Sequence, residues 1–290
     1  MAEARGAAGL RALLRENRLI VAPGAYDCIG ARMIEQAGFP LVYMTGAGTA
    51  AGLGYPDYGL VTMSEMADNA GRIAASVGVP VIADADTGYG NELNVTRTVR
   101  EYWRRGVAGL HIEDQAFPKK CGHLDDKEVI PLTDFIAKVR AAAAAKPDPD
   151  FLLIARTDAR ASHGLEAAVQ RMNAALEAGA DMAFLEAPLT HDEVAAVPRL
   201  VKGPCLLNMV LGGKTPVQDL AEAERAGYRI AILPGLLFQS AMTAFETALE
   251  EVRIERRLPA VTVSLRDRFR RMGADEWDAL RDRFKGTGAA

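Results

Sequence analysis

Short runs of Val, Ile and Leu recur along the chain, and most are separated by longer segments whose apolar residues follow the 3.6-residue period of a helix. Eight runs are predicted strands: LIVAPGAYD, LVYMTGAG, VPVIADADTG, VAGLHIEDQ, FLLIARTDA, MAFLEAP, PCLLNMV and YRIAILPG. Strands that alternate with helices form parallel sheets, so we predict a (β/α)8 TIM barrel. A doubly wound sheet is the alternative, but no glycine-rich dinucleotide motif follows the first run.

Helical segments such as TRTVREYWRRG and LEAAVQRMNAALEAG end at a glycine, which is a common helix terminator. After the eighth run, FQSAMTAFETALEEVRIERRL and SLRDRFRRMGADEWDALRDRF supply more helix than a closed barrel needs. We predict a barrel over residues 1–240 and C-terminal helices over residues 241–290 within the same domain. These helices would cap the barrel or pack on another subunit.

Composition changes this picture little. The 290 residues suffice for a single barrel domain whose core needs no disulfides. The 34 basic and 38 acidic residues form no basic patch, which argues against a nucleic-acid partner. Three scattered cysteines do not make a disulfide framework. We read no signal peptide, and no apolar run reaches the ~18 residues of a membrane span, so we expect a cytoplasmic protein without membrane contact.

Polar residues stand where the predicted strands end. They are Asp27, Tyr43, Thr45, Gly46, Asp84, Asp86, Glu113, Asp114, Arg156, Asp158, Glu186 and Asn208. TIM-barrel enzymes place their chemistry at these strand ends. Several carboxylates directly follow apolar runs, where an unpaired charge would be costly to bury. A ring of carboxylates with a single arginine predicts a divalent-metal site for an anionic substrate.

The metal prediction depends on three carboxylates. Asp84 and Asp86 are two residues apart, so their side chains share one face of a strand. Glu113 leaves the next strand at a similar height. Carboxylate and water ligands without His or Cys favour Mg²⁺ or Mn²⁺ over zinc. The alternative is that DADTG is only a turn, since Asp and Gly are good turn residues.

The anion prediction depends on Arg156, because a guanidinium binds a carboxylate through two parallel hydrogen bonds. The alternative is that Arg156 only forms a salt bridge with Asp158 or Glu186. The segment MTGAGTAAGLG adds backbone N–H groups in a glycine-rich turn, which can also hold a carboxylate or phosphate.

A polar connection of 17 residues, QAFPKKCGHLDDKEVIP, follows the fourth predicted strand. Long connections in compact domains are commonly lids or binding loops. The run from Lys119 to His123 would therefore fold over a bound anion. A cysteine beside cationic groups tends toward thiolate, so Cys121 could give or take a proton. The alternative is a solvated basic loop with an incidental cysteine.

The motifs KKCGH after IEDQ, DADTGYGN, ARTDA and FLEAP resemble the isocitrate lyase and phosphoenolpyruvate mutase superfamily. The resemblance covers nearly the whole chain, with the motifs in the family's order. The chain is most similar to the 2-methylisocitrate lyases, the 2,3-dimethylmalate lyases and the plant oxaloacetate and 2-alkylmalate lyases. It lacks the large insertions of isocitrate lyase proper.

The resemblance implies a magnesium site and an assembly. Asp86 would be the direct ligand, while Asp84 and Glu113 would act mostly through waters. Asp57 would make a further water contact. The family fold is a barrel whose last helix is exchanged with a neighbouring subunit, usually in a homotetramer, which would account for the surplus C-terminal helix.

The resemblance also implies a substrate site with two halves. Tyr43, Thr45 and Gly46 would bind the oxo-acid half. The family usually has serine in place of Thr45, so the pocket would be tighter by one methyl group. The residues that would hold the other carboxylate are Arg156, Glu186 and Asn208, joined by Gly122 and His123 as the loop closes.

The implied reaction is a Mg²⁺-dependent retro-aldol (retro-Claisen-type) cleavage of a 2-hydroxy di- or tricarboxylate into a 2-oxo acid and a carboxylate. Tyr43 would help to remove the hydroxyl proton, and Arg156 would stabilise the enolised product. Cys121 would protonate the carbanion as general acid, or act as the base in the synthetic direction. Lys120 and His123 would tune Cys121.

Three other functions stay open. Carboxyphosphonoenolpyruvate phosphonomutases share the barrel, the metal site and a similar loop. Oxaloacetate hydrolases keep the cysteine loop, whereas the related decarboxylases do not use it, so KKCGH argues against the latter. A non-catalytic binding barrel is the alternative of another class.

Apolar residues around the second half of the substrate favour a 2-alkylmalate over a tricarboxylate; they are Phe184, Leu185, Met209, Val210 and Leu233–Pro234.

Overall fold

Eight parallel strands close into a barrel in chain order, and the eighth strand pairs with the first. The computed structural model describes residues 6–16, 18–120, 122, 127–216 and 219–285. The strands are β1 (Ile20–Ala25), β2 (Val42–Met44), β3 (Val81–Asp84), β4 (Gly109–Glu113), β5 (Leu152–Thr157), β6 (Met182–Leu185), β7 (Cys205–Asn208) and β8 (Ile230–Leu233). Each lies inside one of the predicted runs, so the TIM barrel is confirmed and the doubly wound sheet is excluded.

The strands read as continuous apolar runs because both of their faces are covered. Only Val21 and Leu233 among the strand residues are less than fully buried. One set of side chains fills the barrel interior, with Ile82, Ile154 and Phe184 among them, and the other packs against the surrounding helices. This two-sided burial is characteristic of parallel sheets.

Helices follow the strands and surround the barrel. They are α1 (Ala7–Arg15), α2 (Cys28–Gln36), α3 (Gly46–Gly52), α4 (Met63–Ser76), α5 (Glu92–Arg104), α6 (Leu132–Ala145), α7 (Ala159–Glu177), α8 (His191–Leu200), α9 (Leu220–Ala226), α10 (Leu236–Glu255), α11 (Leu265–Arg271) and α12 (Ala274–Lys285). Several begin with a side-chain cap. In α4, for example, Thr62 and Glu65 form a reciprocal capping box, which satisfies two N-terminal donors.

Helix α1 precedes the barrel, and its Leu10 is fully buried in the interior cluster of the barrel. Arg11 fixes the helix by donating to the carbonyl of Asp150 at 2.9 Å and by pairing with Asp181 at 2.7 Å. Helix α1 therefore covers the end of the barrel where the strands begin, opposite their carboxyl ends.

The chain divides into two compact units, residues 1–238 and residues 239–290. The first contains the complete barrel. The described part of the second, residues 239–285, contains most of α10 together with α11 and α12, and none of its side chains is buried. Large apolar side chains stay exposed there, including Phe245 (61%), Leu249 (70%) and Trp277 (70%). No helix in the described part of the chain is long and apolar enough to cross a membrane.

The exposed apolar side chains of α10 and α12 lead to a prediction about assembly, because a concentration of large exposed apolar side chains marks a contact with another chain. The family resemblance implies a homotetramer, so we expect light scattering to give roughly four times the 31.1 kDa chain mass. Phe245→Glu and Trp277→Glu should lower that mass, whereas Glu250→Gln, on the same helix as Phe245, should not. A wild-type mass of one chain would contradict the prediction.

Candidate active site

The predicted polar residues do meet at the carboxyl end of the barrel. The buried ones among them are Tyr43, Thr45, Gly46, Asp84, Asp86, Glu113, Asp114, Arg156, Asp158, Glu186 and Asn208. Strand register brings them together, since Asp84 is level with His111 across β3 and β4, and Glu113 is level with Arg156 across β4 and β5. Asp27 is different. It is the N-cap of α2 and accepts from the Gly30 N–H at 2.7 Å.

Arg156 is the buried cation of the site. Its Nε lies 2.9 Å from Asp158 Oδ2 and 3.2 Å from Glu113 Oε2, and its Nη2 lies 3.3 Å from Glu186 Oε2. The guanidinium carbon lies 5.0 Å from the centroid of the Phe184 ring, which adds a cation–π contact. Burial lowers the pKa of Arg156, but the three carboxylates outweigh it and raise that pKa well above its ordinary value. The salt bridges expected as the alternative role therefore exist.

Asp84 and Asp86 respond differently to burial. Burial would raise the pKa of Asp84, but His111, Lys119 and Arg156, with a 2.9 Å hydrogen bond from the Asp86 N–H, hold it below its ordinary value. For Asp86 burial wins and raises the pKa to about 6, against the lowering effect of Lys119. Asp86 also adopts a positive φ of 46°, which is uncommon for a residue other than glycine and turns the chain directly after β3.

Glu113 is a buried acid, with 1% of its surface exposed. Burial raises its pKa well above the ordinary value, although Arg156 lowers it. Its Oε1 is buried and has no hydrogen-bond partner among the described residues. An unpartnered carboxylate oxygen next to two further acids points to a missing ligand or water, because buried polar atoms are otherwise paired.

These residues fit a hydrated hard cation. Within the described ranges no three His, Cys, Asp or Glu side chains are close enough together to bind one ion directly. A cation with one direct carboxylate ligand and the rest of its shell made of water satisfies that spacing, which is how Mg²⁺ is usually held. Gly46 also leaves room here, since a Cβ at that position would lie 2.4 Å from Asp84 Oδ2.

Lys119 belongs to the carboxylate cluster rather than to a solvated loop. Its Nζ lies 2.6 Å from Asp86 Oδ1 and also pairs with Asp57. The residue is 4% exposed. Burial lowers its pKa, but Asp86 and Asp57 outweigh burial and raise it well above the ordinary value. The backbone of Lys120 is held by the Gln115 side chain: the Lys120 N–H donates to Gln115 Oε1 at 2.9 Å, and Gln115 Nε2 donates to the Lys120 carbonyl at 2.8 Å.

His111 is a site residue that the sequence analysis missed. Its Nε2 lies 3.0 Å from Tyr43 Oη and 3.6 Å from Asp84 Oδ1, and its ring meets Phe184 edge-on. Burial lowers the pKa of His111 against the raising effect of Asp84, which favours the neutral imidazole. Burial raises the pKa of Tyr43 well above its ordinary value, so the phenol keeps its proton. The available signal was position, since His111 precedes Glu113 by two residues and shares its face of β4.

The remaining predicted residues lie around Arg156 or at the start of α3. Thr45 caps α3 by accepting from the Gly48 N–H at 3.4 Å. Asn208 donates to both carboxylate oxygens of Glu186, at 3.3 and 3.2 Å. Gly122 lies against Arg156, because a Cβ there would be 2.3 Å from Nη2. Cys121 and His123 lie outside the described residues, so their predicted roles stay predictions.

A closed (β/α)8 barrel with buried acids and an arginine at its carboxyl end defines an enzyme-type active site. The chain matches the phosphoenolpyruvate phosphomutase family over residues 10–253. It is 48% identical to the 2,3-dimethylmalate lyase of Eubacterium barkeri, with 79% of each chain covered. It is 45% identical to a 2-methylisocitrate lyase of Aeropyrum pernix, with 84% of this chain and 78% of the relative covered.

The comparison with solved structures leads to the same family. An oxaloacetate acetylhydrolase in complex with the inhibitor 3,3-difluorooxalacetate superposes with a TM-score of 0.92 at 40% identity, covering 98% of both chains. The chain therefore belongs to the phosphoenolpyruvate phosphomutase family, within the superfamily shared with isocitrate lyase, as the sequence motifs indicate. It is an enzyme, and lyases are prominent among its relatives.

The raised pKa of Asp86 predicts a pH dependence of metal binding. Above pH 6 the Asp86 carboxylate is ionised and can bind a cation, whereas below pH 6 a proton competes for the same oxygen atoms. We expect the apparent Kd for Mn²⁺ to increase about tenfold per unit of pH below 6 and to change little above 7. Calorimetry between pH 5 and 8 measures this, with Asp86→Asn as the variant that removes both binding and slope. An affinity independent of pH would contradict the prediction.

Proposed function

We propose that this enzyme is a Mg²⁺-dependent carbon–carbon lyase that cleaves a 2-hydroxy dicarboxylate into a 2-oxo acid and a carboxylate. The observation that carries the proposal is the placement of a buried arginine beside a cluster of buried acids at one barrel mouth, with Arg156 Nε 3.2 Å from Glu113 Oε2. One half of such a site suits a hard cation and the other half suits an anion.

The cation would be held by Asp86 directly, and by Asp84, Glu113 and Asp57 through waters. When bound, it would supply electrostatic stabilisation for negative charge on the C2 oxygen of the substrate. The unpartnered Oε1 of Glu113 and the spacing of the three acids support this arrangement. Lys119, paired with Asp86 and Asp57, would have to share or give up these partners when the cation binds.

Tyr43 and His111 form the proton-handling pair of the proposal. The phenol keeps its own proton at rest, and the neutral imidazole lies 3.0 Å from its oxygen. Tyr43 Oη would accept the C2 hydroxyl proton while its own proton passes to His111 Nε2. Such a relay avoids an unassisted phenolate in a buried site, which desolvation makes costly.

Arg156 would hold the second carboxylate and stabilise the enolate that forms when the bond between C2 and C3 breaks. Glu186 and Asn208 would orient it, since they are hydrogen-bonded to each other and Glu186 contacts the guanidinium. Cys121 would then protonate the carbanion as general acid, with Lys120 and His123 tuning the thiol. This last step rests on the family resemblance.

Side chains beyond the strand ends favour a dicarboxylate with an alkyl substituent. The described residues that directly follow β6, β7 and β8, at 186–190, 209–213 and 234–238, include no Lys or Arg. Met209 and Pro234 begin two of these segments, and Leu233 is the last residue of β8, so apolar side chains lie at these strand ends. A third carboxylate would have no cation within these five-residue segments, and Lys214 is the first one beyond them. An alkyl group would meet apolar surface, with a discrimination of about 1–3 kcal/mol per methylene.

A second candidate is hydrolysis of oxaloacetate. The observation that favours it is the likeness to oxaloacetate acetylhydrolase over 98% of both chains. The barrel, the acids and the arginine would serve either reaction, so the substrate distinguishes them.

The test is release of 2-oxo acid from 2-methylisocitrate, 2,3-dimethylmalate and 2-ethylmalate, and consumption of oxaloacetate, each with and without Mg²⁺. We expect cleavage of a 2-alkylmalate that requires the metal and is lost in Cys121→Ala. Oxaloacetate consumption without any cleavage of hydroxy acids would favour the hydrolase. Failure of every hydroxy acid and of oxaloacetate would overturn the proposal and favour a phosphonomutase.

Replacement of the arginine tests the anion half of the proposal. Arg156→Lys keeps the charge but loses the fork that pairs with three acids, so we expect kcat/KM to fall about 10²- to 10³-fold. The matched control is Arg160→Lys, because Arg160 pairs only with Glu193, at 2.9 and 2.7 Å, in the described part of the chain. Equal losses in both variants would show that the effect is general and not specific to the site.

A further inference from the structure

Lys127 is a buried cation that the proposed mechanism does not use. Its side chain is 1% exposed, and its Nζ lies 2.7 Å from Asp158 Oδ1. It also donates to the backbone carbonyl of Gly122. A buried ammonium is stable only when its donors are paired, so these two contacts define its position.

Asp158 is the link between Lys127 and the substrate arginine. Its carboxylate accepts from Arg156 Nε at 2.9 Å and from Arg156 Nη2 at 3.2 Å, and the second contact uses the same oxygen that Lys127 bonds. Asp158 is fully buried, and its N–H donates to Asp114 Oδ1 at 2.9 Å. One carboxylate is therefore shared by two cations.

Gly122 gives Lys127 a second connection to the same arginine. An ideal Cβ on Gly122 would lie 2.3 Å from Arg156 Nη2 and 2.7 Å from Glu186 Cγ, so the backbone of Gly122 passes directly over the contact between these two side chains. Lys127 bonds the carbonyl of that residue. It thus reaches Arg156 through Asp158 on one side and through Gly122 on the other.

We propose that Lys127 is a positioning residue for dicarboxylate binding: by sharing Asp158 with Arg156 it leaves part of the guanidinium charge available to the substrate, and by bonding the Gly122 carbonyl it holds that backbone against the arginine. Without Lys127, Asp158 would be a full counterion for Arg156. Three acids, Glu113, Asp158 and Glu186, would then face one cation. An entering carboxylate would meet one further uncompensated negative charge in a buried site, where such charges are poorly screened.

This inference rests on the proposed function, since it takes Arg156 to bind a substrate carboxylate. The experiment therefore uses binding of a simple dicarboxylate, oxalate, measured by calorimetry in the presence of Mg²⁺, and does not require turnover. Lys127→Met should weaken oxalate binding about tenfold or more, the effect expected from loss of a hydrogen-bonded charge next to a buried anion site. Lys127→Arg, which keeps the charge, should restore most of the affinity.

The double variant Lys127→Met/Asp158→Asn distinguishes positioning from a merely structural role. If Lys127 acts by sharing Asp158, removal of that negative charge should return the affinity to within about threefold of wild type, a coupling that double-mutant cycles detect. A structural role predicts that the losses of affinity in the single variants Lys127→Met and Asp158→Asn add in the double variant. For an active substrate, Lys127→Met should raise KM more than it lowers kcat.

The matched control is Lys146→Met, because Lys146 pairs with Asp181 at 3.0 Å, and Asp181 precedes β6 at the opposite end of the strand from the site. That variant should change the melting temperature and leave oxalate affinity unchanged. Wild-type oxalate affinity in folded Lys127→Met, or additive losses in the double variant, would overturn the inference. Failure of wild type itself to bind oxalate would instead count against the proposed anion site.

Discussion

The contact of Arg156 with three buried acids is the interaction on which the rest of the site depends. Glu113, Asp158 and Glu186 come from three consecutive strand ends, and each is at most 1% exposed. Loss of one partner from a buried ion pair typically costs about 3–5 kcal/mol, because the other charge is left unsolvated. One guanidinium contacts all three carboxylates, and Lys127 shares Asp158 with it, so the burial of acids at this density depends on the arginine. The same arrangement leaves Asp84 and Asp86 on the far side of Glu113 for a cation.

Much of the fold was predictable because a parallel barrel buries both faces of each strand, which leaves continuous apolar runs in the sequence. The same runs end at the site, so Asp84, Glu113, Arg156 and Asn208 could be named before any coordinates. Strand bounds were less predictable. The run LVYMTGAG contains a strand of three residues, because Thr45 already caps the following helix.

The sequence did not reveal the roles of two kinds of residue. One kind has its partners far away along the chain, and the other has its side-chain direction set by alternation along a strand. Asp114 follows Glu113 directly and was grouped with the polar residues at the strand ends, but alternation along β4 turns it to the other side. There it accepts from Thr157 Oγ1 at 2.6 Å and from Arg171 Nη1 at 3.0 Å, as a link between β4, β5 and α7. Lys119 looked like a loop lysine, and its contacts with Asp86 and with Asp57, the latter 62 residues away, assign it to the cluster.

Strand register has a consequence for how the protein reaches its native state. Glu113 stands opposite Arg156, and Asp84 stands opposite His111. A slip of one residue between β4 and β5 would send Arg156 toward the helices and bury Glu113 without its partner, because side chains alternate between the two faces. Misaligned barrels therefore carry unpaired charges inside, and folding intermediates with the wrong alignment are the least stable. The charged residues at the carboxyl end of the barrel thus favour the correct alignment of the strands during folding.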